Sequence, residues 1–225
     1  EKVLTGIIYV GELTPKSKDY VLSFGERLST PIVWGALRDL KLSAQYFTGG
    51  EIGIVTDSNF TEAKPLMNVT KHQVREKIEQ LLEKRIVPVV TGFIAATQDG
   101  VTTTLGRGGS DYTATIIGAS LAADEVWIWT DVDGLMTSDP KIVPSAKTLP
   151  ELSFQEAVEM AVFGAKAMHP RALEPAMEEN IPIRIRNTFN AENPGTLIMK
   201  EQKIKPGDAL KAITLVKDVA LVNVS

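Results

Sequence analysis

The residues best suited to chemistry lie between Thr102 and Tyr112, where three glycines surround Arg107. A β-prone threonine run ends at the first glycine, and Ser110 and Asp111 open a segment with helix-like apolar spacing. A strand, a glycine turn and a helix start would point free backbone N–H groups and the positive end of a helix dipole at one spot. The glycines would let an anion approach the main chain, and the guanidinium suits a carboxylate or phosphate. This pattern predicts an anion site, against the alternative of a plain turn capped by Ser110 or Asp111.

The elements around this stretch indicate strands that alternate with helices. The apolar runs Ile86–Val90 and Glu125–Trp129 suit buried parallel strands, and Thr91-Gly92-Phe93 follows the first of them. Open α/β sheets bind ligands at such carboxyl ends. Residues 94–96 and 101–104 read as a hairpin that leads into the glycine stretch. The pattern predicts an α/β fold, a three-layer α/β/α sandwich with a mainly parallel central sheet.

A long helix is predicted to begin at Thr14-Pro15, a cap residue followed by proline at the first helical position. Pro31 is expected to kink or break this helix. Glu26 is polar where its neighbours on the helix are apolar. From the pattern alone, a surface glutamate paired with Arg27 or Lys18 is the favoured interpretation.

Composition excludes several classes of protein. The 225 residues are 44% hydrophobic and 23% charged, which is ordinary for a soluble globular protein. The net charge of −4 argues against a nucleic-acid-binding surface. The absence of cysteine and the presence of only two histidines exclude disulfides, thiolate metal sites and a His-rich metal centre. Without a membrane-length apolar run or a signal peptide, the expected location is the cytoplasm, with no membrane partner.

Four separated motifs resemble those of aspartokinases within the amino-acid kinase family, in the family's order. They are S-F-G-E at 23–26, G-R-G-G-S-D at 106–111, T-D-V-D-G-L-M-T-S-D-P-K at 130–141 and F-G-A-K-A-M-H-P at 163–170. Spaced aspartates in the third motif also suggest a calcium loop, but no glutamate stands at the last ligand position, so an EF-hand is rejected. By itself Lys166, in the fourth motif, would be a snorkelling lysine at a helix start. His169 is expected to cap or pack.

The resemblance implies two groups of site residues. The substrate-binding group is Glu26, Arg107, Gly108, Gly109, Ser110 and Asp111. The nucleotide-binding group is Thr130, Asp131, Met136, Lys141 and Lys166, with Met136 in place of the family's usual tyrosine. Lys166 and Asp111 are the implied catalytic residues. In the family the glutamate of S-F-G-E lies near the amino-acid substrate, and the lysine of F-G-A-K reaches the ATP phosphates.

The implied activity is phosphoryl transfer from MgATP to the side-chain carboxylate of L-aspartate. This is the first step towards lysine, threonine and methionine, and similar enzymes are usually dimers. Magnesium would bridge ATP oxygens and need few protein ligands, so no protein metal site is predicted. The rivals are a kinase for glutamate, acetylglutamate or a nucleoside monophosphate, a non-catalytic binding module, and a subunit of a split enzyme.

The implied domains are a catalytic domain at 1–200 and, at 201–225, a linker with the start of an ACT regulatory domain. Family members begin with K-F-G-G-(T/S), which this chain lacks, and Glu1 stands inside a helix-like pattern. We therefore expect an internal fragment of a longer protein, with little or no kinase activity when it is alone.

Overall fold

The computed structural model describes residues 1–162, 168–200, 211–213 and 215. The chain divides into two compact units, Glu1–Ala122 (unit 1) and Ala123–Ser225 (unit 2). The domain boundary at residue 200 stays a prediction, since most of the implied linker and ACT segment lies outside the described residues.

The helices of unit 1 begin and end largely where local signals place them. They are α1 (Lys2–Val10), α2 (Pro15–Asp39), α3 (Gly49–Ile52), α4 (Met67–Glu83) and α5 (Gly109–Leu121). The hydroxyl of Thr14 accepts a hydrogen bond from the Ser17 N–H at 3.1 Å, so the predicted cap of α2 is confirmed. Of the kink or break predicted at Pro31, the break is wrong, because α2 continues through it to Asp39, and the kink stays a prediction. Proline removes only one backbone donor, and α2 is held along its length by packing on neighbouring strands.

Two small sheets form in unit 1. The strands are β1 (Ala44–Phe47), β2 (Val55–Thr56), β3 (Val87–Val90), β4 (Ile94–Thr97) and β5 (Thr102–Thr104). β1 pairs with β3 and β2 with β4, both in parallel, and β4 pairs antiparallel with β5. The predicted hairpin is therefore confirmed. Helices α4 and α5 pack against each other, and the core comprises Ile52, Ile54, Val74, Ile78, Ile94, Leu105 and Ile116.

Unit 2 forms one four-stranded sheet in its described residues. Its elements are β6 (Val126–Thr130), β7 (Glu151–Ser153), α6 (Phe154–Val162), α7 (Pro170–Glu178), β8 (Ile183–Asn187) and β9 (Thr196–Met199). The strand order is β6-β8-β9-β7, with β6·β8 and β7·β9 parallel and β8·β9 antiparallel. The fully buried side chains include Leu152, Leu173, Ile183, Ile185 and Ile198.

The α/β class with mainly parallel pairing is confirmed, since four of the six strand pairings are parallel. In the described residues the strands form three sheets. None of the helices there is both long and apolar enough to cross a membrane.

The run Glu125–Trp129, predicted as a buried strand, contains most of β6 and pairs in parallel with β8, but only one of its faces is buried. Val126 and Ile128 face the core, whereas Trp127 and Trp129 are 48% and 45% exposed. The Arg186 guanidinium carbon lies 4.7 and 4.9 Å from the centres of these two indole rings. Residues 126–129 are all apolar, but the arginine stacked on the two indoles, rather than the core, lies against the second face.

Candidate functional site

The glycine stretch joins β5 to α5 as predicted. Gly106 and Gly108 have φ of 76° and 71°, a conformation that favours glycine. Gly108 occupies the cap position without a side-chain hydrogen bond, and Ser110 and Asp111 lie inside the first turn. The alternative of a plain cap by Ser110 or Asp111 is therefore wrong. Among the described residues no backbone acceptor pairs with the N–H groups of Ser110 and Asp111, so two donors are free at the positive end of α5.

Close packing places the segment after β3 against this first turn. A Cβ on Gly92 would lie 2.9 Å from the Ser110 Cα, and a Cβ on Gly109 would lie 3.1 Å from the Phe93 Cα. The Phe93 N–H donates to the Thr113 hydroxyl at 3.1 Å. Glycine is required at both positions because the two backbones touch.

Arg107 projects from the loop between the two left-handed glycines. Its side chain is exposed, and in the part of the chain that the structure describes it makes no hydrogen bond or ion pair. A guanidinium that has no structural partner keeps all its donors for a ligand, and its planar fork matches a carboxylate.

Asp19, which the sequence analysis missed, anchors the strand that enters the loop. Its side chain is fully buried in α2. The carboxylate accepts hydrogen bonds from the Thr104 N–H (2.9 Å), the Thr104 hydroxyl (2.7 Å) and the Thr61 N–H (2.9 Å). The available signal was a polar stripe on α2, formed by Asp19, Ser23, Glu26 and Thr30 at helical spacing. Asp19 thereby attaches α2 to Thr104, which lies two residues before Gly106.

Glu26 lies on this stripe and is half-buried. Arg27, its expected partner, instead donates to the Thr102 hydroxyl at 3.1 Å. The described residues show no ion pair of Glu26 with Lys18, Arg27 or Arg107, so the surface-pair interpretation is wrong. Burial raises the pKa of the Glu26 carboxyl above its ordinary value.

Asp111, in the first turn of α5, is the second carboxyl of unit 1 whose pKa is raised by burial. Unit 1 thus carries two poorly solvated carboxyls, a free guanidinium and free helix N–H groups. Such a set can receive a ligand that has both a carboxylate and an ammonium group.

The predicted nucleotide loop lies in unit 2 and leaves the end of β6. The Thr130 hydroxyl donates to Asp131 Oδ1 at 3.2 Å, and the Asp131 side chain is exposed. Asp133 Oδ1 accepts from the side-chain amides of Asn187 (2.8 Å) and Asn190 (3.1 Å). The sequence did not predict these hydrogen bonds between the loop and the end of β8. Among the described residues, the side chains of Thr130 and Asp131 bond only to each other, whereas Asp133 is fixed by the two asparagines.

The middle of the loop is also fixed. Gly134 has φ of 126°, and a Cβ there would lie 2.4 Å from the Thr196 hydroxyl oxygen. That hydroxyl accepts from the Leu135 N–H at 2.9 Å. Met136 forms a bridge with Thr148, whereas the Lys141 side chain is exposed. The loop is therefore fixed at its middle, and among the described residues the Lys141 side chain at its end has no hydrogen-bond or ion-pair partner.

Lys166 lies outside the described residues, so its predicted role, and a cleft shared with Arg107, stay predictions. His169 caps α7, with Nδ1 accepting from the Arg171 N–H at 3.3 Å. The expectation that His169 caps or packs is confirmed.

Residues 5–187 match the family model described as the amino acid kinase family. The chain belongs to the amino acid kinase family. The chain is 39% identical over 226 residues to the chloroplastic aspartokinase 1 of Arabidopsis thaliana, and the alignment covers 100% of this chain and 40% of the relative. The chain thus spans well under half the length of such relatives.

Solved structures give the same result. The crystal structure of E. coli aspartokinase III in complex with aspartate and ADP superposes with a TM-score of 0.81 at 35% identity, covering 90% of this chain and 46% of that one. UMP kinase from Bacillus anthracis, at 19% identity and a TM-score of 0.60, shares the fold alone. The resemblance to aspartokinases is confirmed.

Proposed function

We propose that the protein containing this chain is an aspartate kinase. It transfers the terminal phosphoryl group of ATP to the side-chain carboxylate of L-aspartate and yields 4-phospho-L-aspartate and ADP. The observation that carries this proposal is similarity along the entire chain to aspartokinases, one of them crystallised with aspartate and ADP. The proposal includes the step towards lysine, threonine and methionine, and a dimeric enzyme.

The chemistry asks mainly for charge control. A substrate carboxylate is already ionised at neutral pH, so it needs no base to become a nucleophile. It is repelled by the triphosphate, and cations and N–H donors must hold the two together. Arg107, with the free amides of Ser110 and Asp111, would hold a carboxylate of aspartate. The Gly108–Gly109 backbone lets that group approach.

The two buried carboxyls would recognise the other end of the substrate. Glu26 and Asp111 are poorly solvated, which raises their pKa. Contact with the substrate ammonium would compensate for that lost solvation, because an adjacent positive charge favours the ionised carboxylate.

The nucleotide would bind along the loop of unit 2. Thr130 and Asp131 offer polar groups, Met136 a polarisable surface for the base, and Lys141 a cation. Lys166 would neutralise charge on the transferred phosphoryl group. Magnesium would be carried mainly by ATP oxygens, with few protein ligands. The ion, when bound, lowers the negative charge of the phosphates.

The test is an acceptor panel on the full-length protein. ADP release is measured with L-aspartate, L-glutamate, N-acetylglutamate and UMP, and the acyl phosphate is trapped with hydroxylamine. We expect turnover and hydroxamate only with L-aspartate. Turnover with another acceptor would assign a different kinase, and calorimetric binding of ATP and aspartate without turnover would assign a binding module.

A further inference from the structure

The short segment Lys211–Ile213 contacts other parts of unit 2 at two places. The Ile213 N–H donates to the Thr137 carbonyl at 2.9 Å. The Lys211 Nζ lies 2.6 Å from Glu156 Oε1, in an ion pair whose side chains are only 21% and 34% exposed. Two different elements are thereby joined by three consecutive residues.

The first contact fixes the candidate nucleotide loop. Thr137 directly follows Met136 and is held on one side by Lys147, through a backbone bond of 2.8 Å and a bond from the Lys147 N–H to the Thr137 hydroxyl of 3.0 Å. Its carbonyl is taken by Ile213. The Lys211–Ile213 segment thus adds one backbone hydrogen bond to Thr137, next to Met136, beyond the bonds made by Lys147.

The second contact fixes the first turn of α6. Glu156 and Ser153 form the reciprocal bonds of a capping box, with Ser153 N–H to Glu156 Oε2 at 2.8 Å and Glu156 N–H to the Ser153 hydroxyl at 3.2 Å. Partial burial alone would raise the pKa of Glu156, but the hydrogen bonds from Lys211 and Ser153 hold it below its ordinary value. An ionised Glu156 therefore binds the helix start and Lys211 at once. Helix α6 leads directly into the motif that contains Lys166.

We propose that Lys211 and Glu156 are positioning residues for the nucleotide: their ion pair docks the Lys211–Ile213 segment, which holds the Met136–Thr137 part of the loop in its binding position. The inference rests on the proposed function, because it assigns the ATP site to that loop. It also predicts that a change in the segment alters the affinity for the nucleotide and not the affinity for aspartate, whose proposed site residues lie in unit 1.

The experiment compares Lys211→Met, Lys211→Arg and Lys200→Met in the full chain. Lys200 is an exposed lysine of the same unit without a side-chain partner among the described residues, so it is the matched control. Calorimetry measures ADP and L-aspartate binding separately. We expect Lys211→Met to weaken ADP binding about threefold to fivefold, the range of a partly exposed ion pair, with aspartate affinity unchanged. The ADP affinities of Lys211→Arg and Lys200→Met should both equal that of the wild type.

Amide hydrogen exchange gives a readout that needs no ligand. Exchange at Ile213 should be faster in Lys211→Met than in Lys200→Met, and Glu156→Gln should add little further effect in the double variant. If the wild type bound no ADP while exchange behaved as expected, the proposed function would fail and the docking contact would stand. Equal ADP affinity and equal exchange in Lys211→Met and Lys200→Met, or an equal loss of ADP and aspartate binding, would overturn the inference.

Discussion

Replacement of Arg107 by methionine tests the substrate site most directly. The Arg107 side chain is exposed, lies between two left-handed glycines and makes no hydrogen bond or ion pair with the described residues, so the fold gains little from it. A surface change of this kind alters the free energy of unfolding by about 0.5 kcal/mol or less. Methionine keeps the length and apolar stem of the side chain while removing charge and donors.

The expected loss falls on aspartate. A hydrogen bond to a charged partner is worth about 1.5–3 kcal/mol, which corresponds to roughly a 10- to 150-fold rise in the aspartate KM at 1.4 kcal/mol per tenfold. Arg107→Lys keeps the charge but loses the planar fork, so its aspartate KM should lie between those of the wild type and Arg107→Met. The ATP KM should stay within about twofold, since the predicted nucleotide residues lie on other segments.

The assay is initial-rate ADP release in the full-length protein, with aspartate and ATP varied in turn. Arg85→Met is the matched control, because Arg85 is also exposed and has no side-chain partner among the described residues. An aspartate KM that is unchanged in Arg107→Met, or raised equally in Arg85→Met, would remove Arg107 from the site.

Three further predictions concern the supports of the two loops, each measured by urea unfolding of the full-length protein. Asp19→Asn turns an amide donor towards backbone N–H groups and should cost about 1–3 kcal/mol, whereas exposed Asp124→Asn should cost almost nothing; equal midpoints would contradict the anchor. Gly134→Ala and Gly100→Ala share a positive φ, but only the first places a Cβ 2.4 Å from a hydroxyl, so it should cost about 1–3 kcal/mol more and weaken ADP binding. The free energy of unfolding of Asp111→Asn should exceed that of the wild type at pH 7 and equal it at about pH 3. The raised pKa means that the stability of the protonated form is present below the ordinary aspartate pKa and is lost as pH rises through the folded-state pKa. If the difference in free energy of unfolding between Asp111→Asn and the wild type grew as the pH fell, this reasoning would be refuted.

Local signals carried much of the prediction. The start of α2 at Thr14-Pro15 and the strand–glycine–helix junction at 106–109 follow from preferences that act within a few residues. Arg107 was recognisable for the same reason, because an arginine between glycines is unusual in a plain turn. The break that Pro31 could cause does not occur, because packing on distant strands also stabilises α2.

What could not be predicted depends on partners far along the chain. Asp133 meets Asn187, 54 positions away, and Asp19 meets Thr104, 85 positions away. Each pair is ordinary in composition, and only the folded topology brings its members together. The same limit applies to Lys211 and Glu156, which are 55 positions apart.

Helix α2 shows why a periodic pattern identifies a helix face without telling which way it points. Leu22, Phe24 and Leu28 are 46%, 43% and 68% exposed, whereas Asp19 and Ser23 are fully buried. The inward face can be polar because each of its buried groups has a partner. Asp19 accepts from the Thr104 N–H and hydroxyl of β5, whereas the Ser23 and Thr30 hydroxyls donate to the carbonyls of Tyr20 and Glu26 within α2. Glu26 belongs to this inward face, yet it has no ion-pair partner among the described residues. A half-buried carboxyl on a face whose other polar groups are bonded is what a ligand-binding position requires, and this makes Glu26 a stronger site candidate than its sequence environment did.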